Sequence, residues 1–271
     1  MTSVPAGVTL PSSLVSLQAG GRRLEIEFAW VGAATADPSL PPVVFLHEGL
    51  GSVAMWKGFP RHLCEAVGRR GLVYSRPGYG RSTPKSPQEH WGLDYLHVQA
   101  EIVLPALLDA LDVHLPVVLF GHSDGGSIAL IHAARFPARV AAAIVLAPHI
   151  FVEAISVEGI RATCVAFETT ALRAKLAQFH ADVDSAFHGW SDAWLQPGFE
   201  QWSIEALLPA IQCPVLAIQG LDDHYGTLAQ IDGIAARIPA TRLLELAACG
   251  HVPHRDQPQA VIQATRTLLA P

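Results

Sequence analysis

A glycine-flanked serine at a strand-to-helix junction constrains this chain more than any other feature. Residues 121–125 read Gly-His-Ser-Asp-Gly, directly after the apolar run Pro116–Phe120 and before an alanine-rich helical stretch. This is the strand–turn–helix context of a nucleophile elbow, where the turn is too tight for side chains on both neighbours. We therefore expect the Ser123 hydroxyl to be presented above the end of a sheet.

Short apolar runs alternate with helical stretches along most of the chain. Besides 116–120, strands are predicted at Leu14–Leu17, Leu24–Val31, Pro42–Leu46, Gly71–Ser75, Val140–Leu146, Val215–Gln219 and Arg242–Leu246. Helices are predicted around Phe59–Arg69, Leu93–Leu111 and Ala260–Leu269. This alternation predicts an α/β fold with a mostly parallel sheet covered by helices on both faces. Continuous apolar strands fit that expectation, because both of their faces would be buried.

One stretch breaks the alternation. Residues 149–211 have no strand pattern, but contain helical patches and several aromatic residues. The stretch is too long for an ordinary connection. We interpret 149–211 as a helical cap inserted between two parts of an α/β core, 1–148 and 212–271. The alternative is an extra packing layer that does not contact a substrate.

Three kinds of reactive side chain follow three different predicted strands. Ser123 is followed along the chain by the pair Asp222 and Asp223, and then by His251. Side chains at the carboxyl ends of parallel strands meet at one edge of the sheet. A histidine can take the proton of a serine hydroxyl, and a carboxylate can orient that histidine. We assign Ser123 as nucleophile, His251 as general base and then acid, and Asp223 as orienting carboxylate, with Asp222 as its rival.

Acyl transfer at Ser123 would also need donors for an oxyanion. The backbone N–H of Asp124, the residue after the nucleophile, is the first candidate. The second is expected in the glycine-containing loop after Leu46, at Gly49 or a neighbouring residue, because glycine lets the backbone approach a ligand closely.

Together these motifs resemble the α/β-hydrolase superfamily, from about Leu24 to Leu269. The resemblance rests on residues 47–52, the loop 76–82, the GHSDGG run, residues 220–223 and Gly250-His251. Relatives commonly have glycine where this chain has Glu48, so we expect that carboxylate to be paired or to point away from the oxyanion. Relatives often have aspartate where Ser75 stands, so the usual anchor of the following loop is absent at that position.

Further residues are candidates for the substrate pocket. Glu48, His149, Trp190 and Trp194 are predicted to line it. A structural role for His149, and packing within the insertion for the tryptophans, are the alternatives. The loop 76–82 is expected to be structural, and the alternative is that Arg76 binds a substrate carboxylate.

Metal and thiol chemistry are not favoured. His251 and His254 form an H-x-x-H pair without a third ligand at a suitable spacing, so no metal site is predicted. The four cysteines are widely spaced and are expected to be free thiols. Cys249 lies near His251, but burial at a strand end is the favoured interpretation.

The pattern predicts a cofactor-free serine hydrolase that acts on a small ester, thioester or lactone through an acyl-enzyme. The resemblance leaves a carbon–carbon bond hydrolase or lyase of the aromatic-degradation type as an alternative, in which Arg76 would bind the substrate carboxylate. A non-catalytic ligand receptor on the same scaffold is less favoured, because the triad is complete.

Composition limits the other partners. The 271 residues carry a net charge of −6 and no cluster of basic residues, which disfavours nucleic acid and anionic membranes. Residues Met1–Gly7 lack a basic segment followed by a long apolar one, and no apolar run approaches the roughly 20 residues of a membrane span. We expect a cytoplasmic protein with a small-molecule substrate, and the sequence leaves open whether it forms a homo-oligomer.

Overall fold

An eight-stranded sheet organises the protein, as seen in a computed structural model that describes residues 10–32, 36–86 and 88–270. The strands are β1 (Ser13–Ala19), β2 (Arg22–Val31), β3 (Val43–Leu46), β4 (Gly71–Tyr74), β5 (Val117–His122), β6 (Val140–Leu146), β7 (Val215–Gly220) and β8 (Thr241–Leu246). Residues Met1–Gly7, on which the expected absence of a secretory signal rests, lie outside the described residues.

The strand order is β1-β2-β4-β3-β5-β6-β7-β8. Strand β2 is antiparallel to β1 and β4, and all other neighbouring pairs are parallel. Every residue of β3, β4, β5 and β7 is buried, which explains why these strands are continuous apolar runs. The predicted mostly parallel sheet is confirmed.

Helices cover both faces of the sheet. They are α1 (Phe59–Val67), α2 (Tyr95–Val98), α3 (Leu104–Ala110), α4 (Asp124–Arg135), α5 (Ala154–Thr169), α6 (Leu172–Leu176), α7 (Val183–Leu195), α8 (Ala229–Arg237), α9 (Pro253–Asp256) and α10 (Pro258–Leu269). Helices α1 and α10 pack on one face, while α2, α3, α4 and α8 contribute to the core on the other. No helix of the described chain is long and apolar enough to cross a bilayer.

The helix predicted at Leu93–Leu111 is shorter and less regular than expected. Between α2 and α3, residues Gln99–Val103 form a π-helical turn, which ends as the Leu104 N–H donates to the Gln99 carbonyl. The next residue is Pro105, which has no N–H to continue an ordinary helical ladder. The hydrogen-bond spacing of the helix therefore changes from the π-helical to the α-helical pattern next to a proline.

Helices α5, α6 and α7 lie in the interval between β6 and β7. Part of the aromatic content of this interval forms its own core, since the rings of Phe167 and Phe187 stack with centroids 3.7 Å apart. A single antiparallel bridge, Phe151 with Ser203, closes the interval near its ends. Trp190 and Trp194, in contrast, face the carboxyl end of the sheet, where the reactive residues lie.

Candidate active site

Ser123 sits on a tight turn between β5 and α4. Its φ of 54° and ψ of −120° are unusual for a residue with a side chain, and its N–H donates to the Leu146 carbonyl at 2.8 Å. A Cβ at Gly121 would overlap the Gly125 carbonyl, and a Cβ at Gly125 would overlap the Leu46 carbonyl. The two glycines are therefore required by close backbone approach, which places the serine at the end of the sheet.

His251 connects Ser123 to Asp223. Its Nε2 lies 3.0 Å from the Ser123 Oγ, and its Nδ1 lies 2.9 Å from both carboxylate oxygens of Asp223. The Asp223 side chain is 1% exposed and that of His251 16% exposed. The structure thus brings the three side chains into one hydrogen-bonded chain, with the imidazole open to the cavity.

The acidic member of this chain is Asp223. One of its oxygens accepts the Tyr225 N–H at 2.8 Å, and the other accepts Gln219 Nε2 at 2.6 Å. Burial opposes ionisation, but the hydrogen bond and charge of His251 and the Tyr225 N–H bring the pKa of Asp223 below its usual value. Asp222 is exposed to solvent. The carboxylate behind the imidazole is therefore ionised and held by three donors.

Two backbone N–H groups beside Ser123 are free to bind a ligand. They belong to Asp124, at the start of α4, and to Gly49, in the loop after β3, and both residues line the cavity that contains Ser123. Within residues 10–32, 36–86 and 88–270, neither N–H donates to another residue. The Trp190 indole packs so closely on Gly49 that a side chain would not fit there. The helix N-terminus adds a partial positive charge that favours an oxyanion.

Glu48 is paired with a histidine. Its Oε2 lies 3.5 Å from the His122 Nδ1, and the other ring nitrogen of His122 donates to the His251 carbonyl at 2.6 Å. Burial opposes ionisation of Glu48, but His122, with smaller effects from His47 and His254, holds its pKa well below the usual range. The carboxylate is therefore anionic and lies beside His122, while the His122 Nε2–H supports the backbone of the triad histidine.

Arg76 does not line the cavity that contains Ser123, which favours the structural role expected for its loop over the alternative of a partner for a substrate carboxylate. The side chain is fully buried, and its Nη2 lies 3.4 Å from the Asp124 Oδ2 and 2.8 Å from the Glu48 carbonyl. The same Asp124 carboxylate accepts the Tyr95 hydroxyl at 2.9 Å and the Trp194 indole N–H at 3.1 Å. A buried cation needs a counter-charge, and Asp124 supplies it within the protein.

The loop after β4 is anchored by a carboxylate from another strand. Ser75 donates its hydroxyl to the Glu27 Oε2 at 2.7 Å and accepts the Val53 N–H at 2.9 Å. Glu27, on β2, is 4% exposed and also accepts the Arg81 N–H and the Ser12 hydroxyl. Glu27 therefore supplies a carboxylate beside Ser75. No local sequence pattern predicts that the carboxylate at this place comes from β2.

The cavity at Ser123 has a volume of about 120 Å³. Its wall is formed by residues of the sheet end and of the insertion: Glu48, Gly49, Leu50, Ser123, Asp124, His149, Ser156, Ile160, Thr163, Trp190, Trp194, Tyr225 and His251. All four residues predicted to line a pocket are among them. The residues that were missed are Leu50, Ser156, Ile160, Thr163 and Tyr225, because a single residue on a helix or in a loop has no sequence pattern that points to a cavity.

The His149 ring is a neutral part of this wall. Burial, with a smaller effect from His251, lowers the pKa of His149 to about 3. Its ring lies 6.0 Å from that of His251, and in the described part of the chain its Nδ1 has no hydrogen-bond partner.

A larger cavity, of about 330 Å³, lies beside Trp91 and Arg22 and is not lined by Ser123, His251 or Asp223. Because Ser123 and His251 line the cavity of about 120 Å³, we place the candidate active site in that smaller cavity.

The expectations for metal and thiol chemistry concern His254 and Cys249. In the residues that the structure covers, no group of three or more His, Cys, Asp or Glu side chains is arranged to hold a metal ion. The His254 ring packs against Trp56, with centroids 4.7 Å apart. Cys249 is buried, which raises the pKa of its thiol to about 11, so it stays protonated at neutral pH.

The sheet order and the serine–histidine–aspartate chain at its carboxyl edge define a hydrolase of the α/β class. The chain belongs to the alpha/beta hydrolase fold family, whose family model matches residues 41–197. It is 33% identical over 141 residues to the dihydrolipoyllysine-residue acetyltransferase component of the acetoin cleaving system of Pseudomonas putida, a match that spans 52% of this chain and 36% of that protein.

A second relative is the sn-1-specific diacylglycerol lipase ABHD11 of Mus musculus, 34% identical over 101 residues, which are 37% of this chain and 30% of the lipase. The chain thus spans about a third of the length of each of these relatives. Among solved structures, an esterase from Thermogutta terrifontis has a TM-score of 0.72 at 20% identity, over 96% of this chain and 98% of the esterase. That likeness extends the shared fold to nearly the whole chain.

Proposed function

We propose that this protein is a cofactor-free serine hydrolase that cleaves small carboxylic esters, thioesters or lactones through an acyl-enzyme. One observation carries the proposal: the hydrogen-bonded chain from Ser123 through His251 to Asp223 lies beside two backbone N–H groups that donate to no other described residue. A nucleophile, a base and an oxyanion site are the three parts that acyl transfer needs.

The geometry supports a two-step mechanism. His251 Nε2 takes the Ser123 hydroxyl proton as Oγ attacks the substrate carbonyl carbon, and the buried Asp223 carboxylate stabilises the resulting imidazolium. The carbonyl oxygen becomes an oxyanion bound by the Gly49 and Asp124 N–H groups. His251 then gives its proton to the leaving alcohol, thiol or ring oxygen, which leaves an acyl-enzyme. Water activated by His251 releases the acid and restores Ser123.

The cavity size favours a short acyl group. An apolar cavity of about 150 Å³ in another protein holds one benzene molecule, and the cavity here, about 120 Å³, is smaller. The rings of Trp190 and Trp194 and the side chain of Ile160 close it on the side of the insertion. Acetyl to butyryl groups fit this space better than longer chains, which would need these side chains to move.

The insertion between β6 and β7 has the position of a substrate cap. Helix α5 contributes Ser156, Ile160 and Thr163 to the cavity wall, and α7 contributes both tryptophans. A site covered by such helices excludes water from the oxyanion and strengthens its hydrogen bonds. The esterase activity named for the Thermogutta terrifontis protein and the lipase activity named for the mouse relative are compatible with ester substrates here.

The alternative of carbon–carbon bond cleavage loses one of its supports. It offered Arg76 as the group that binds a substrate carboxylate, and that guanidinium is buried against Asp124. The receptor alternative predicts that the wild type binds a ligand without turning over any ester. The hydrolysis experiment described next would detect that lack of turnover.

The test is hydrolysis of p-nitrophenyl esters from acetate to octanoate by the wild type and by Ser123→Ala. We expect turnover by the wild type that is highest for short acyl chains, and no turnover above background by the folded variant. Ser127→Ala, which alters a neighbouring buried hydroxyl bonded to the His149 carbonyl at 2.6 Å, is the matched control and should retain measurable activity. Equal rates for wild type and Ser123→Ala would refute the proposal.

A further inference from the structure

We infer that Arg76 is a positioning residue of the oxyanion hole, which orients the peptide unit whose N–H binds the oxyanion. This inference rests on the proposed function, because it concerns the donor at Gly49. It gives a role to a fully buried cation that the triad chemistry does not use.

The geometry of one peptide bond carries the argument. The Glu48 carbonyl and the Gly49 N–H belong to the same planar trans unit, so the two groups point in opposite directions. Arg76 Nη2 donates to that carbonyl at 2.8 Å. Fixing the oxygen on the Arg76 side therefore turns the Gly49 N–H to the opposite side, and Gly49 lines the Ser123 cavity.

A second contact from Arg76 reinforces the same carbonyl. The Arg76 backbone N–H donates to His47 Nε2 at 3.0 Å, so Nε2 is an acceptor and Nδ1 carries the proton. His47 Nδ1 then donates to the Glu48 carbonyl at 2.7 Å. Arg76 thus acts on this oxygen twice, through its side chain and through the tautomer of His47.

The guanidinium also connects the two halves of the oxyanion hole. It lies 3.4 Å from the Asp124 carboxylate, and the Asp124 N–H is the other candidate donor. A charged donor at a carbonyl polarises its peptide unit, which strengthens the N–H on the far side. Because Arg76 is planar and has several donors, it can hold Glu48 and Asp124 together, whereas a lysine offers one ammonium.

The consequence is a loss of transition-state stabilisation with little loss of substrate binding. Removing one oxyanion donor typically lowers kcat by about 10²- to 10³-fold. Misorienting that donor in Arg76→Lys, which keeps the charge, should lower kcat by about 10- to 100-fold with KM within about threefold. A merely structural role would instead lower the amount of folded protein and leave kcat per active site unchanged.

The experiment measures kcat and KM for p-nitrophenyl acetate in wild type, Arg76→Lys and Arg81→Lys, with active sites counted by a fluorophosphonate label. Arg81 lies in the same loop and is exposed, so it is the matched control. Inhibition by an alkylboronic acid, which mimics the tetrahedral intermediate, should weaken in Arg76→Lys by the same factor as kcat/KM. Inhibition by the carboxylic acid product should not change.

Wild-type kcat per labelled site in Arg76→Lys, or equal weakening of boronate and product, would overturn the inference. If Arg76→Lys does not fold, Asp124→Asn replaces it: the guanidinium loses its counter-charge, and kcat should fall with KM retained. Wild-type kinetics in that variant would equally overturn the inference. Failure of the proposed function is distinguishable, because then the wild type itself would neither hydrolyse the ester nor bind the label at Ser123.

Discussion

Asp223→Asn removes the charge behind the imidazole while leaving the local geometry in place. Both carboxylate oxygens lie 2.9 Å from His251 Nδ1, so the ion pair formed when His251 takes a proton is short. The new amide oxygen can still accept the Tyr225 N–H. The amide nitrogen can face Gln219, whose Oε1 has no partner within the described residues and can turn towards it. The variant should therefore report the loss of the carboxylate, meaning its charge and the His251 tautomer that it fixes, and not a collapsed loop.

The size of the effect follows from this distance. Unit charges about 2.9 Å apart interact by about 6 kcal/mol at an effective dielectric constant of about 20. The same replacement in a serine-protease triad lowers kcat about 10⁴-fold, which corresponds to about 5.4 kcal/mol. We expect Asp223→Asn to lower kcat for p-nitrophenyl acetate by about 10³- to 10⁴-fold at pH 7.5.

Asp222→Asn is the matched control, because Asp222 is the preceding residue and is exposed. Its kcat should remain within about twofold of the wild type, and both variants should keep the wild-type melting temperature within a few degrees. More than a tenth of the wild-type kcat in Asp223→Asn, or an equal loss in Asp222→Asn, would refute the assignment of Asp223.

Three further outcomes are expected. Gly125→Ala should lower the free energy of unfolding by at least about 3 kcal/mol in urea titrations, because its methyl would overlap a backbone carbonyl. The control is Gly226→Ala, a buried position with neighbours at 3.6 Å, which should change the free energy of unfolding by less than about 1 kcal/mol. Similar losses in the two variants would contradict the elbow geometry. Burial lowers the pKa of His132 to about 4. The unfolded chain therefore takes up a proton first as the pH falls below about 6.5, which costs about 2 kcal/mol of stability at pH 5. His132→Asn, which can keep the bond to the Ala100 carbonyl, should lose less stability between pH 7 and 5, and an unchanged slope would exclude this origin. Trp190→Ala should raise kcat/KM for octanoate relative to acetate by about tenfold, since two or three methylenes gain a cavity wall to pack against; an unchanged profile would remove the tryptophan from the acyl site.

The sequence predicted the sheet well because its strands carry strong local signals. Strands buried on both faces need continuous apolar runs, and each such run is found within one or two residues of its predicted bounds. The elbow was equally predictable, because Gly121 and Gly125 are needed by backbone contacts that no other residue permits. In both cases the physical requirement acts on neighbouring residues and is therefore visible in the chain.

The buried polar network was not predictable in this way. The structural role expected for the loop of Arg76 did not identify its partner, because the counter-charge, Asp124, comes from a different strand end 48 residues later. Glu27 and Ser75 are likewise 48 residues apart. Contacts of this kind depend on which strands become neighbours in the sheet. The spacing of single polar residues along the chain does not predict which strands those are.

Glu27 makes the aspartate that the family resemblance leads us to expect at position 75 harmful in this chain. Replacing a residue by the one its family prefers often stabilises a protein. Here Ser75→Asp would place a second carboxylate against Glu27 Oε2, which the serine hydroxyl now contacts at 2.7 Å, in a site with almost no solvent. The family-preferred aspartate becomes acceptable only after Glu27 has been neutralised, so the order in which these two positions change decides which sequences remain folded.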